Sequence, residues 1–185
     1  MGGCPVTVVL RPFRADEIDE LWARRQREIA EGSMWGPSSR EQVAERVARS
    51  GTWTDTPAGL LFAIEADGAL VGDIQARRSQ GVLPTGVVEI GIGLHEAADR
   101  GRGIGRDAVA QLTTKLFEGG DAHRVQLSTD VGNAAMRRVA ELLGFGFEGI
   151  LRGFMPSAEG PRDYAMYGMT ETDFQDERSA WTSTS

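Results

Sequence analysis

One stretch of the chain decides its fold. It reads Val87-Val88-Glu89-Ile90-Gly91-Ile92-Gly93-Leu94 and continues, after a short polar connection, into Arg100-Gly101-Arg102-Gly103-Ile104-Gly105-Arg106. In a strand, alternate side chains point to opposite faces, so the first part predicts a strand with one apolar face and one face that carries Glu89 and two glycines. After the second part, apolar residues recur every four positions, at Ile104, Ala108, Leu112 and Leu116. This spacing predicts a helix with a buried stripe.

The turn between this strand and this helix has the features of an anion site. The first N–H groups of a helix have no intrahelical acceptor and carry partial positive charge. Glycines allow the backbone to approach a phosphate group closely, and three arginines surround the turn, at Arg100, Arg102 and Arg106. The sequence therefore predicts a site for a cofactor that contains a pyrophosphate.

Two common phosphate-binding classes do not fit this turn. A nucleoside triphosphate P-loop requires Lys-Ser or Lys-Thr directly after its last glycine, whereas the next lysine here is Lys115. A dinucleotide fingerprint requires Gly-x-Gly-x-x-Gly, and Gly101-x-Gly103-x-Gly105 has a different final spacing. Asp121 lies about twenty positions further on, as that fingerprint would require, but in a glycine-rich turn rather than at a strand end.

The spacing Arg100-x-x-Gly103-x-Gly105 resembles the acyl-coenzyme A motif of the GNAT N-acetyltransferases. A second stretch, Asn133 to Phe145, is similar to the next helix of that superfamily and to its Leu-Gly-Phe end. Segments at 9–13, 148–152 and 163–169 are similar to the branch of the ribosomal-protein N-terminal alanine and serine acetyltransferases. The resemblance covers about residues 6 to 175.

The resemblance implies an α/β (α+β) fold, with a mixed, mostly antiparallel sheet of about seven strands and about four helices. It also implies acetyl-CoA, or another short acyl-CoA, as co-substrate. Backbone N–H groups in the turn would hold its pyrophosphate, and the arginine side chains would add contacts to phosphate. Backbone groups of Ile92 and Leu94 would pair with the pantetheine arm. Asn133 would cap the next helix, touch the arm, or do both. The turn residues in this prediction are Arg100, Gly101, Arg102, Gly103, Ile104, Gly105 and Arg106.

Catalysis requires a group that takes a proton from the attacking amine. Glu89 is the candidate, acting directly or through water, because it shares a strand face with Gly91 and Gly93. The alternative is a carboxylate paired with an arginine. The family often has a tyrosine seven residues after the asparagine, where it protonates the leaving thiolate, but this position is Ala140. Tyr164, Tyr167 and Ser128 are the remaining hydroxyl candidates, and a coenzyme A thiolate is a tolerable leaving group without one.

The acceptor predicted from these parts is a peptide α-amine. An α-amino group has a pKa of about 8, whereas a lysine has about 10.4, so the former needs less help to become neutral. A small-molecule amine such as an antibiotic or polyamine is the alternative, and a sensor that binds acyl-CoA without turnover stays open. Aromatic and sulfur side chains near the expected acceptor site, at Trp22, Met34, Trp35 and Trp53, either line that site or belong to the core.

The remaining sequence predicts a regular order of elements. A strand over Val6–Arg11 precedes a helix from Asp16 to Ala30, and Ser38-x-x-Glu41 is a capping box for a helix that ends near Arg49. Asp67-Gly68 marks a hairpin turn. Beyond it we expect a strand at Arg124–Thr129, a helix from Asn133 and two closing strands. We expect a single domain over residues 1–177 and a flexible polar tail over 178–185.

Composition limits the partners and the location. The chain has 185 residues, a net charge of -7 and one cysteine, Cys4. Acidic chains do not suit nucleic-acid phosphates, and no apolar run reaches the ~20 residues that span a bilayer. The start lacks a secretory signal pattern, so we expect a cytoplasmic protein. Neither His95 nor His123 has metal-ligand spacing, so no metal is implied. Pairing of two copies through an edge strand or the late hairpin stays open.

Overall fold

The central element is a seven-stranded sheet. The structure is a computed structural model and describes residues 6–30, 39–54, 59–78, 83–157 and 159–182. The strands lie in the order β1-β2-β3-β4-β5-β7-β6. They are β1 (Val8–Arg11), β2 (Leu60–Ala66), β3 (Ala69–Arg77), β4 (Val87–Leu94), β5 (Arg124–Asp130), β6 (Gly146–Met155) and β7 (Arg162–Thr170). The sheet is antiparallel except for the β4–β5 pair.

The part of the chain that the structure describes contains five α-helices. They are α1 (Ile18–Ala30), α2 (Arg40–Ala48), α3 (Ile104–Glu118), α4 (Ala134–Leu142) and α5 (Glu171–Thr182). The predicted mixed, mostly antiparallel sheet of about seven strands is confirmed, and the helix count is one above the prediction.

The larger core lies between the sheet and α3, as the four-residue apolar period predicts. Ile104, Leu112 and Leu116 are at most 1% exposed. They pack with alternate residues of the central strands, among them Ile74, Val88 and Leu127. Because each strand alternates its faces, the same strands present a second set of side chains to the opposite side of the sheet.

That opposite side is covered by α1 and α2 and is only partly apolar. Val43 and Val47 of α2 pack with Leu61 and Ala63 of β2, and Trp22 of α1 joins this smaller cluster. Next to it the sheet surface becomes polar. The residues of β3 that pair with Ala63, Leu61 and Glu89 are Asp73, Gln75 and Arg77.

Strands β4 and β5 separate soon after they meet. Their parallel register comprises only Val87 with Arg124, Val88 with Val125, and Glu89 with Gln126. From there β4 continues to Leu94 along β3, while β5 continues to Asp130 along β7. The sheet therefore opens between 90–94 and 127–130, on the side of β4 that faces away from β3.

Local sequence signals place several elements correctly, and two starts need correction. The β2–β3 turn has positive φ at Asp67 (50°) and Gly68 (84°), as the predicted two-residue hairpin requires. The second helix is capped by Ser39, whose side chain accepts from the Gln42 N–H, one residue later than the predicted Ser38–Glu41 box. Ser38 itself lies outside the described residues. Strand β1 begins at Val8 rather than Val6.

Helix α5 replaces most of the tail predicted from residue 178. It continues to Thr182, so the predicted boundary falls inside a helix. The reason is aromatic packing: the Phe174 ring stacks on Phe117 with centroids 4.8 Å apart, and Trp181 contacts Phe174 edge-on at 5.5 Å. Burial of these rings stabilises a segment whose other side chains are mostly polar.

None of the helices in the described ranges is long and apolar enough to cross a bilayer.

Replacing Phe174 with alanine tests the contribution of α5. Phe174 is 0% exposed, and loss of a buried phenylalanine side chain lowers the free energy of unfolding by about 3–5 kcal/mol. Phe154, which is 46% exposed, provides a matched control; its replacement by alanine is expected to cost about 1 kcal/mol or less. Urea unfolding of both variants measures the difference. Equal losses would contradict the packing role of α5.

Candidate active site

The start of α3 presents free backbone donors to solvent. Gly103 is the residue that precedes the helix, with φ 84°. The first helical bond joins the Asp107 N–H to the Gly103 carbonyl. The amides of Ile104, Gly105 and Arg106 precede that bond and so have no intrahelical acceptor. Their donors, together with the helix dipole, make this end of α3 able to bind an anion.

The turn leaves room for a ligand at the same place. A Cβ atom built on Gly101 or on Gly103 would meet no described heavy atom within 4 Å. Both glycines have positive φ, 74° and 84°, a conformation that other residues adopt only with strain. The backbone here is therefore exposed and held in a shape that requires glycine. This geometry fits a pyrophosphate cradled by main-chain amides.

The three arginines of the turn differ in their partners. Arg102 donates to Asp99 at 3.1 Å and lies 3.5 Å from Asp67, and Arg106 pairs with Asp107 at 2.8 Å. Among the described residues, Arg100 has no carboxylate within ion-pair distance. Arg100 is thus the arginine whose charge is not already balanced by a protein carboxylate.

Strand β4 lies beside this turn, since a Cβ atom built on Gly105 would lie 3.9 Å from Ile92 Cδ1. Ile92 and Leu94 belong to the part of β4 that has separated from β5. Their backbone groups on that side have no sheet partner in the β4–β5 register. An extended arm that leaves the turn can therefore form hydrogen bonds with this edge as an added strand would.

Glu89 lies where β4 and β5 still touch, and its carboxylate has partners. Its Oε1 accepts from Arg77 Nη2 at 2.7 Å, and its Oε2 accepts from Gln126 Nε2 at 3.3 Å. It faces the same side as Gly91 and Gly93, as the alternation predicts. The arginine pair is the alternative that the sequence left open, so the role of Glu89 as a base stays a prediction.

Asn133 is the N-cap of α4, and its Oδ1 accepts from the Met136 N–H at 3.1 Å. Ala140, which stands at the family's tyrosine position, is fully buried. Tyr167 is 1% exposed and its hydroxyl accepts from Arg137 Nε at 3.2 Å, so it is a core residue. Tyr164 packs against Phe154 with ring centroids 5.6 Å apart. The group that protonates the thiolate stays unassigned.

The structure adds residues that the sequence interpretation missed. Above Gly93, the Asp73 carboxylate lies 3.7 Å from Arg24 Nη1, 3.9 Å from Arg46 Nη2 and 3.9 Å from His95 Nε2. Burial raises the pKa of Asp73, and the two guanidinium groups oppose this. The available signal was a charged residue in the middle of the strand Ala69–Arg77, on the face opposite Ile74 and Ala76.

His95, directly after β4, is uncharged near neutral pH. Its side chain is 6% exposed, and its Nε2 has no hydrogen-bond partner among the described residues. Burial, with the nearby Arg24 and Arg27, lowers the pKa of His95 to about 4.

The aromatic side chains predicted near the acceptor site that the structure describes belong to the two core clusters. Met34 and Trp35 lie outside the described residues. Trp22 belongs to the smaller core cluster, and Trp53 packs against the larger one while the Arg78 guanidinium stacks on its ring at 3.7 Å. Within the described ranges, no group of three His, Cys, Asp or Glu side chains is arranged to hold a metal ion.

Comparison with known proteins gives the family. The family model described as "Acetyltransferase (GNAT) domain" matches residues 7–146. This range is more than half of the chain, so the protein belongs to the GNAT acetyltransferases and is an acetyl-CoA-dependent N-acetyltransferase. No curated protein sequence matches the chain.

Solved structures share the fold. A GCN5-related N-acetyltransferase from Brucella melitensis is 25% identical, with 95% of this chain and 81% of that chain covered and a TM-score of 0.69. RimL, a ribosomal L7/L12 alpha-N-protein acetyltransferase, is 21% identical over 89% of this chain and 90% of its own, also at 0.69. The microcin C7 self-immunity acetyltransferase MccE, solved with acetyl-CoA and AMP, is 18% identical over 88% and 92%, again at 0.69.

The buried imidazole makes stability depend on pH. The pKa of His95 is about 4 in the folded protein and about 6.5 when unfolded. The unfolded state then binds more protons between these values, so stability falls as the pH decreases through this window. When the pH is lowered from 7 to 5, the free energy of unfolding of the wild type is expected to fall by about 2 kcal/mol more than that of His95→Gln.

Urea unfolding of both proteins at the two pH values measures this difference. The raised pKa of Asp73 acts in the opposite direction, because folding then favours its protonated form. Asp73 is present in both proteins, which is why the comparison uses the difference between them. Parallel losses in the two proteins would contradict the burial of an uncharged His95.

Proposed function

We propose that this protein transfers an acetyl group from acetyl-CoA to the α-amine of a peptide or protein N-terminus. The observation that supports this most is the position of the free amides of α3 beside the open edge of β4. A diphosphate at Ile104–Arg106 and an extended arm along Ile92 and Leu94 fit these two features together. The acetyl-CoA supplies the thioester, and the chain binds and orients it.

Both backbone and side-chain groups of the turn are proposed to bind the diphosphate. The main-chain amides from Arg102 to Arg106, with Gly101 in the same turn, are proposed to hold the diphosphate. Arg100 is proposed to add a charge-assisted contact, since its guanidinium has no carboxylate partner among the described residues. Arg102 and Arg106 would first have to leave their carboxylates, so each is expected to add less. Asn133 keeps one side-chain nitrogen that its cap does not use, and this nitrogen can contact the arm.

The choice of an α-amine rests on proton chemistry. Near pH 7 about one lysine in a thousand is neutral, whereas a substantial fraction of α-amines with a pKa of about 8 is. This site has no assigned general acid, and its base candidate Glu89 is held in an ion pair with Arg77. Such a site suits the α-amine, because less of it must be deprotonated before it can attack. Glu89 stays a candidate for the base. A cytoplasmic location and pairing of two copies also stay predictions.

A panel of acceptors tests the proposed reaction. Thiol release from acetyl-CoA is measured with a peptide that begins with a free serine or alanine, with the same peptide blocked at its N-terminus and carrying an internal lysine, and with spermidine. We expect saturable release with the free peptide and none with the blocked one, and mass spectrometry is expected to place the acetyl group on the α-nitrogen.

The other outcomes separate the alternatives. Release with spermidine alone would show a small-molecule acetyltransferase. Saturable binding of acetyl-CoA with no release for any acceptor would show a sensor.

Replacing Gly103 with alanine tests the backbone site. A Cβ at Gly103 would stand in the space where the diphosphate is proposed to lie, so we expect the Kd of coenzyme A to rise by about tenfold or more, which corresponds to about 1.4 kcal/mol. Gly68 is the matched control, because it has the same φ of 84° and equally open surroundings. Gly68→Ala is expected to carry similar backbone strain and leave the Kd unchanged.

Calorimetric titration of coenzyme A into each variant provides the measurement. A Gly103→Ala protein that binds as tightly as the Gly68→Ala protein would contradict the assignment of this turn to the diphosphate.

A further inference from the structure

A second carboxylate, Asp73, lies on β3 beside Gly93 of β4. Asp73 on β3 pairs in register with Gly93, and Glu89 pairs with Arg77. Asp73 and Glu89 therefore face the same side of the sheet but stand four residues apart along the strands, about 13 Å. A single amine nitrogen cannot contact both carboxylates at that separation. At most one of the two can therefore contact the amine nitrogen of the acceptor.

The available space favours the position above Gly93. A Cβ built on Gly93 would lie 3.9 Å from Asp73 Oδ1 and 3.7 Å from Arg24 Nη2, which are ordinary contact distances. A Cβ built on Gly91 would lie 3.2 Å from Gln75 Nε2, which is tight. An additional heavy atom thus fits over Gly93 next to Asp73. Gly93 also lies between Ile92 and Leu94, the residues whose backbone is proposed to pair with the pantetheine arm.

The hydrogen-bond partners of the two carboxylates also favour Asp73 as the group next to the acceptor. Both oxygens of Glu89 already accept hydrogen bonds, from Arg77 and Gln126. The nearest nitrogens of Arg24, Arg46 and His95 are 3.7 to 3.9 Å from the Asp73 carboxylate, beyond hydrogen-bond distance. A proton can therefore reach Asp73 without competition from a protein donor, whereas on Glu89 it would compete with the donors of Arg77 and Gln126.

Two further groups next to Asp73 have unused hydrogen-bonding capacity. Among the described residues, His95 Nε2 and Arg46 Nε are buried and have no partner. The His95 side chain is 94% buried, since it is 6% exposed. Buried polar groups are normally paired, so such a cluster indicates a polar ligand that completes it. The amine end of the acceptor can donate to the uncharged His95 Nε2, whereas Arg46 Nε, which can only donate, would bind an oxygen such as a peptide carbonyl.

We propose that Asp73 is the residue that takes the proton from the acceptor amine, an inference that rests on the acetyl transfer proposed above. The ammonium N–H bond breaks and an O–H bond forms on Asp73. The nitrogen lone pair then forms the C–N bond to the thioester carbonyl, and the C–S bond breaks. The second amine proton ends on the departing sulfur, and the Asp73 proton passes to solvent. Glu89, with Arg77 and Gln126, holds β4 and β5 together and is a positioning residue.

The charges around Asp73 allow this role. Arg24 and Glu28 face it from α1, Arg46 faces it from α2, and His95 faces it from the end of β4. Arg24 is also paired with Glu28 at 3.0 Å. With His95 uncharged, the cluster has two cations and two anions, so it does not repel an ammonium group as a whole. Burial raises the pKa of Asp73, which makes it a stronger base than an ordinary aspartate.

The test measures the steady-state kinetics of Asp73→Asn and Glu89→Gln, with the peptide that has a free N-terminus as the acceptor. We expect Asp73→Asn to lower kcat by about 10²- to 10⁴-fold, the usual contribution of a general base. The KM for acetyl-CoA is expected to stay unchanged, and the acid limb of the pH profile of kcat/KM for the peptide is expected to disappear. Glu89→Gln is expected to keep that limb. Asp73→Glu, which keeps a carboxylate, is expected to keep the limb at a reduced rate.

The control is Asp176→Asn on the exposed side of α5, which changes the charge equally and is expected to match the wild type. If Asp73→Asn does not fold, Asp73→Glu and Glu89→Gln still decide through the position of their acid limbs. If the wild type is active and the Asp73 variants keep its rate and its acid limb, the role of Asp73 is overturned while the proposed function stands. The same holds if only Glu89→Gln loses the acid limb. A wild type that acetylates no acceptor overturns the proposed function, and the role of Asp73 with it.

Discussion

The separation of β4 from β5 is the constraint on which the site depends. These strands are joined through α3, which makes them parallel neighbours, and their pairing extends over only three residues of each strand. A fully paired sheet would leave no backbone edge in its interior and no opening at the end of α3. Because the pairing stops at Glu89 and Gln126, the β5-facing edge of β4 is free around Ile92, whose side chain lies beside Gly105 in the first turn of α3. The family to which the chain belongs uses acetyl-CoA, and the opening has the chemistry for its two unlike halves, a charged diphosphate and an amide-containing arm.

The sequence predicts this part of the molecule well because its signals are local. The alternation in 87–94, the glycines of the turn and the four-residue period of α3 each depend on residues that are neighbours along the chain. The β2–β3 turn is equally local, since Asp67-Gly68 suits positive φ at both positions. The last helix was missed because its composition is polar and only Phe174 and Trp181 show what holds it. Those two residues pack against each other, and Phe174 also packs on Phe117 of α3, which is distant in sequence.

The proposed acceptor side of the site could not be predicted for the same reason. Asp73, Arg24, Arg46 and His95 come from β3, α1, α2 and the end of β4, and nothing in their spacing indicates that they meet. The sequence does show an aspartate in the middle of a strand, which is unusual, but it does not show what covers that face. The partners of Glu89 were likewise hidden. The predicted ligand contact and the observed contact with Arg77 lie on the same strand face. The contact with Arg77 depends on the register with β3, which the sequence does not show.

The ion pairs of the phosphate turn have a consequence for how such a chain receives a polyanion. The protein carries a net charge of -7, yet its proposed ligand is itself strongly negative. Asp99, Asp67 and Asp107 act as resident counter-ions for Arg102 and Arg106. At Arg102 and Arg106, docking of a diphosphate would therefore exchange one anion for another, and these two guanidinium groups would gain little. Affinity for the proposed ligand would then come mainly from Arg100 and from uncharged backbone dipoles, and dissolved salt screens the dipoles far less than it screens exposed charges.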